Sequence, residues 1–292
     1  MKQQDAYKIL AAFLVITMLG SVFAYIFIGQ KDNTNSESVT PNTTQDKYNP
    51  EFWTVNQPFY SISDALKMTP PGANLTYFVD LDNMPPQMIQ WVRQELPVIQ
   101  EVDSLYKSNT TKMYYASIKE GDNNSFLLLS TMSVPKNDFD YIVLPNTNYI
   151  LQRQDTGAIN IMGTPVIYAP DKTASEVLNI IYSLNKSNTS YDQYENLLTK
   201  VEPAPYQVLN ANVSFAKQFY IGLNLVNGIY EGTTAYLDAN SSVLKKINQS
   251  KANSTQKGFE QFSINQSRNY TIVKVVSPEL LKVISEVNEE TS

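Results

Sequence analysis

Residues 9–28 read ILAAFLVITMLGSVFAYIFI, twenty positions without a charge. As a helix rising about 1.5 Å per residue, this run spans roughly 30 Å, the thickness of a bilayer's hydrocarbon core. Its polar members, Thr17 and Ser21, can bond back to the helix carbonyls. A helix on a soluble core keeps a polar face, and this one has none. The run therefore divides the chain. Lys2, Lys8 and the amino terminus precede it against Asp5, while Lys31 and Asp32 cancel after it. The positive flank stays inside, which makes residues 1–8 a cytoplasmic N-terminus and exports everything beyond the span. Cleavage after Ala24 is the rival reading. It would leave residues 25–28 as a stray apolar end, so an uncleaved transmembrane signal-anchor at 9–28 is preferred. The expected location is the cell membrane, crossed once, with an extracytoplasmic body.

The chain of 292 residues has no Cys and no His. Disulfide frameworks, thiol nucleophiles, Ser-His-Asp triads and histidine-ligated metals are thereby excluded. A net charge of −6 argues against a nucleic-acid partner.

Asn-x-Ser/Thr occurs twelve times, at Asn42, Asn74, Asn109, Asn123, Asn185, Asn188, Asn212, Asn240, Asn248, Asn253, Asn265 and Asn269. Random placement of these residue types gives about four matches. Turn-loving Asn, Ser and Thr also cluster without sugar, yet an excess near threefold points to N-glycosylation of an exported body. Taken with the opening KILAAFLVITMLGSVFAYIFIG and the Asn/Thr/Ser-rich stretch after it, this density resembles the membrane-anchored, N-glycosylated envelope proteins of methanogenic archaea. The resemblance brings no catalytic motif and no functional residue.

Along the chain, residues 29–51 are polar and read as a flexible stalk. Beyond it, strand and helix patterns alternate. A strand is predicted over residues 75–81, then a helix carrying Met88, Trp91, Val92, Leu96 and Ile99, interrupted at Pro97. Residues 112–118 and 126–132 read as a hairpin, and Thr173 to Glu176 as a capping box ahead of a helix. Glu202-Pro203-Ala204-Pro205 reads as a boundary. After it, Phe219, Ile221, Leu223 and Leu225 alternate as a half-buried strand does, and Asn227-Gly228 signals a tight hairpin. The predicted class is α+β: an anchor, a stalk, and two α+β units at 52–202 and 203–292, possible split-βαβ (ferredoxin-like) folds.

Candidate sites are few. Asp80-Leu81-Asp82-Asn83 opens like a calcium loop but continues with Met84 and Pro85 where an oxygen ligand and Gly belong. Asp82 or Asn83 as a helix cap is the plainer reading, and Asp80 with Asp82 as a Ca²⁺ or Mg²⁺ site the sharper one. Asp80, Asp82, Asp155, Asp171, Glu231 and Glu260 could furnish a glycosidase-like carboxylate pair. Arg occurs only at positions 93, 153 and 268, and a scarce Arg suits a bidentate carboxylate or phosphate site, with Arg153 the favoured candidate. Ser-x-x-Lys occurs four times without the partner motifs of a Ser-Lys hydrolase. The residues do not point to an enzyme. A binding or structural role in the envelope, in contact with other envelope proteins or glycans, is the first reading. A carboxylate-dependent exported hydrolase and a surface solute-binding domain are the alternatives.

Overall fold

Near-continuous apolar runs such as TYFV at 76–79 and FLLL at 126–129 suit strands buried on both faces. A computed structural model, which describes residues 55–121, 123–133, 136, 138–144, 150–182 and 188–291, places both at the centre of one large sheet. The expected span at 9–28 and stalk at 29–51 lie outside the described residues. Among those residues no helix is long and apolar enough to cross a membrane.

The chain enters through β1 (Val55–Asn56), passes α1 (Ile62–Leu66) and forms β2 (Ala73–Asp80). Two helices follow, α2 (Pro86–Glu95) and α3 (Val98–Tyr106), then β3 (Thr110–Glu120), β4 (Asn123–Met132), β5 (Tyr141–Val143), β6 (Ile150–Arg153), β7 (Ile159–Ile161), β8 (Gly163–Thr164) and β9 (Val166–Ala169). Next come α4 (Asp171–Tyr182), α5 (Ser190–Leu198), β10 (Tyr206–Asn210), β11 (Gln218–Val226) and β12 (Ile229–Leu237). The chain closes with α6 (Ser241–Ala252), α7 (Ser254–Lys257), β13 (Gln261–Ser267), β14 (Tyr270–Ser277) and α8 (Leu280–Thr291).

Twelve of these strands make one sheet in the order β13-β14-β12-β11-β10-β2-β3-β4-β9-β7-β6-β5, while β1 and β8 form a separate parallel pair. Every neighbouring pair in the large sheet is antiparallel. The α+β class is therefore as the sequence indicates, but the two-unit division is not. β10, just past the Pro-rich boundary, pairs with β2 on one side and β11 on the other, so one sheet runs across 203. A split-βαβ unit would also keep a strand between the two strands that a helix joins. Here β2 and β3 flank α2 and α3 in the chain and pair directly with each other.

Alternation along each strand sends side chains to two cores. On the first face, Tyr77, Val79, Met113, Tyr115, Leu128, Val273 and Val275 pack under α2, α3, α6 and α8. On the second, Phe78, Tyr114, Ala116, Leu127, Leu129 and Tyr220 pack under α1, α4 and α5. Local chemistry sets the helix ends. Pro97 cannot continue α2, so Leu96 ends it and Pro97 starts α3. Ser61 caps α1 by accepting from Asp64 N, and Asn240 caps α6 by accepting from Ser242 N and Val243 N. Two expected caps are corrected. The N-cap of α2 is Pro85, with Asp82 and Asn83 one turn earlier in a 3₁₀ turn. Thr173 lies inside α4, buried, with its hydroxyl 2.5 Å from that of Ser125. The capping box that does form is at Thr189 and Asp192. Asn227 and Gly228 take φ of 53° and 81°, as the type I′ hairpin requires.

The sheet has two distinct ends. At the entry end Val55 pairs with Gly163, close to the start of β9 and the end of β4. The 3₁₀ turn at Leu81–Asn83, the Asn227-Gly228 hairpin and the end of β14 lie there too. At the far end β2 begins, β10 finishes, and the 238–240 and 268–269 turns meet through Asp238 N donating to Asn269 O at 2.8 Å.

Candidate functional site

Asp80 ends β2 and is 5% exposed. One of its oxygens accepts from Lys112 Nζ at 3.0 Å and the other from Asn83 Nδ2 at 2.9 Å. Lys112 Nζ also lies 3.7 Å from Asp82 Oδ2. The two carboxylates do converge, as their spacing suggested. The cation between them is an ammonium from the adjacent strand β3. Among the described residues no group of three acidic side chains is set to hold a metal.

Arg153 ends β6 and is 7% exposed. Its Nε donates to Asp155 Oδ1 at 2.8 Å and its Nη2 pairs with Asp155 Oδ2. The guanidinium carbon sits 5.4 Å from the Phe139 ring and 5.8 Å from the Tyr168 ring. Burial works to lower the Arg153 pKa, and the bonds to Asp155 with the nearby phenols outweigh it and leave it raised. In turn the Arg153 hydrogen bonds hold the Asp155 carboxyl below its usual range. The fork expected to grip a ligand thus grips Asp155, two residues on. Arg153 joins the short strands β5 and β6 to the aromatic wall formed by Phe139 and Tyr168.

The remaining carboxylate candidates are dispersed. Glu231 lies 2.7 Å from Lys274 on β14, Asp171 opens α4, and Glu260 precedes β13. The acids that the described residues bury are Asp80 and Glu286, and each holds a lysine; Lys257 Nζ lies 2.6 Å from Glu286 Oε2. Glu95, on α2, was not among the sequence candidates. Its pKa is raised by burial, against a bond from Trp91, whose ring meets Tyr206 edge-on at 5.1 Å.

A groove of about 380 Å³ opens at the entry side of the second face, lined by Tyr60, Asp64, Lys67, Met68, Ile180 and Ile181 among others. Tyr60 is 68% exposed. Asp64 is held by Ser61 Oγ at 3.0 Å and Tyr60 N at 3.2 Å, and Lys67 stands 5.0 Å over the Tyr191 ring. No sequence signal marked this groove, because its walls come from residues more than a hundred positions apart.

The sequons form the most ordered pattern. Of the nine sequon asparagines whose side chains are described, eight are exposed: Asn109, Asn188, Asn212, Asn240, Asn248, Asn253, Asn265 and Asn269. Asn74, in β2, is half-buried, with its Oδ1 enclosed and Thr76 fully buried two residues on. Asn123 is placed by its backbone at the start of β4, and Asn42 and Asn185 lie outside the described residues. Seven of the ten placed sequons sit at or beside the far end of the sheet. Asn74 and Asn123 begin strands there, and Ala211 N donates to Asn74 O at 2.7 Å, which brings Asn212 alongside. Asn240 N donates to Phe215 O, Asn269 O accepts from Asp238 N, and Asn265 is two residues from the end of β13. Asn188 is two residues before Ser190, whose N donates to Thr69 O. Asn248 lies midway along α6, and only Asn109 and Asn253 among the placed sequons lie toward the entry end.

No family model and no curated protein matches the chain. Among solved structures, three crystal forms of TP0453 are similar to it. Form III is 14% identical over 75% of this chain and 97% of that one, with a TM-score of 0.46. Form IV is 10% identical over 75% and 96%, at 0.45, and form I is 11% identical over 78% and 97%, at 0.39. Likenesses this distant carry no functional argument.

Proposed function

We propose that this chain is a single-pass, membrane-anchored extracytoplasmic glycoprotein with a binding or structural role in the cell envelope, of the kind its sequence resembles. A transmembrane helix at residues 9–28 and a stalk at 29–51 belong to this proposal. Its body contacts other envelope proteins or glycans. The observation that carries the reading is the exposure of eight of nine described sequon asparagines. Sugar added to Asn must project into solvent, and a surface that offers so many such sites fits an exported, sugar-coated body. The uncharged run of twenty residues supplies the anchor. The test is protease treatment of intact cells followed by glycopeptide mass spectrometry. The expected result is external cleavage of the body and a native mass above 33.0 kDa. A protected chain with every sequon peptide unmodified overturns the proposal.

The groove at Tyr60, Asp64 and Lys67 supports a second reading, capture of a small solute at the surface. Its largely polar lining carries one acid and one base, Asp64 and Lys67, 3.9 Å apart, and suits a small polar molecule that can join that pair.

A further inference from the structure

The twelve sequons are spread along the whole sequence, from Asn42 to Asn269, yet folding gathers most of the placed ones at one end of the sheet. They arrive there from six separate stretches of chain: the starts of β2, β4 and α6, the approach to α5, the end of β10, and the β13–β14 hairpin with the end of β13. A common surface built from distant stretches is a property of the fold, and composition alone does not produce it. Val55, the first described residue after the proposed anchor, lies at the opposite end, held by Gly163 and by Gln57 N donating to Thr164 O at 2.8 Å. β11 runs between the two ends with nine residues, so the ends are about 30 Å apart.

We infer that the body is oriented, with its sequon-bearing far end turned away from the membrane and its entry end turned toward the lipid surface. This rests on the anchored-glycoprotein reading above and gives it a direction. The physical reason is excluded volume. A sugar chain on Asn212, Asn240 or Asn269 is bulky and solvated, and pressing that end on a bilayer would confine it. Entry at the other end lets the tether reach the bilayer without passing the seven far-end sequons; Asn42 lies on the tether and Asn109 and Asn253 toward the entry end, a minority of the sites. The result is a glycan cap on the outermost surface and a face at the Leu81–Asn83 turn and the Asn227-Gly228 hairpin that looks back at the membrane.

The chain has no cysteine, so single cysteines can be introduced as unique labels. Lys217→Cys, immediately before β11, reports the far end; Val226→Cys, its last residue, and Asp82→Cys report the entry end. All three positions are exposed. The full glycosylated chain, purified from its host and reconstituted in vesicles that carry an acceptor dye on the lipid headgroup, is labelled with a donor at each cysteine. Energy transfer at least about twofold more efficient from Val226→Cys and Asp82→Cys than from Lys217→Cys is expected. Equal transfer from both ends, or more from Lys217→Cys, in a chain that is anchored and carries sugar overturns the orientation alone. A chain that alkaline carbonate strips from native membranes, with no sugar on any peptide, removes the anchored reading and the orientation together.

Discussion

The centre of the sheet and its C-terminal side solve the same problem differently. β2, β3 and β4 are covered on both faces, and their inner residues are apolar at consecutive positions: Tyr77, Phe78 and Val79, or Leu127, Leu128 and Leu129, are all buried. β14 is covered well on one face only. Thr271, Val273, Val275 and Ser277 are buried beneath α8, while Tyr270, Ile272, Lys274 and Val276, on the other side, keep partial exposure. Burial follows the helix cover in each case, continuous where two helix layers cover the sheet and alternating where one does, although Tyr270 and Ile272 on the open side of β14 still pack partly against the second core. The lesson is that the helix layer, not the strand, decides which of a strand's residues are buried.

This contrast predicts where the fold is most easily broken. Leu129→Ala, at the doubly covered centre, removes a fully buried side chain from among Phe78, Tyr114 and Leu127. A loss of about 2–5 kcal/mol is expected from urea unfolding of the body, because cavity and transfer costs add where the surroundings cannot collapse. A loss below about 1 kcal/mol would show that the centre is no tighter than the edge.

How far the sequence reveals this arrangement depends on the range of the interaction. The strand at 73–80, the Pro97 break and the Asn227-Gly228 hairpin are local, and each was legible from spacing or turn chemistry. β10 was not. Its five residues, YQVLN, follow a Pro-rich stretch and show no alternation, so no strand is read there, although they stitch the two halves into one sheet. The two-unit division failed for that reason. At the candidate sites the residue types were legible and their partners were not. Asp80 and Asp82 do meet, but around Lys112, thirty residues on in sequence, which no local pattern announces. Arg153 stood out by scarcity, yet its buried position and its closure on Asp155 depend on Phe139 and Tyr168. The far-end gathering of sequons is invisible until strand order is known.

The covered face of the C-terminal side offers a sharper test. A Cβ on Gly232 would lie 2.5 Å from Val283 Cγ1 and 3.2 Å from Val275 Cγ2, so β12 and α8 approach as closely as they do only because position 232 has no side chain. Gly232→Ala should cost about 1–3 kcal/mol through overpacking. Pairing it with Val283→Ala, which frees the space, should recover part of that loss. Additive losses in the double variant would mean that the two residues do not share the contact.

The open face of the same strands should be the most forgiving place to cut. Lys274 and Glu231 form a cross-strand pair at 2.7 Å, with side chains 35% and 17% exposed. Solvent screens such a pair, and holding two long side chains costs entropy, so Lys274→Met should lower stability by about 1 kcal/mol or less. Half-molar salt should shrink the difference further, since screening acts on the wild-type attraction and leaves the variant nearly unchanged. A salt-insensitive loss of several kcal/mol would mean that this face is dry, and therefore covered in the native protein by something outside the described residues. That outcome would erase the one-sided character assigned to β14 and, with it, the account of why its burial alternates.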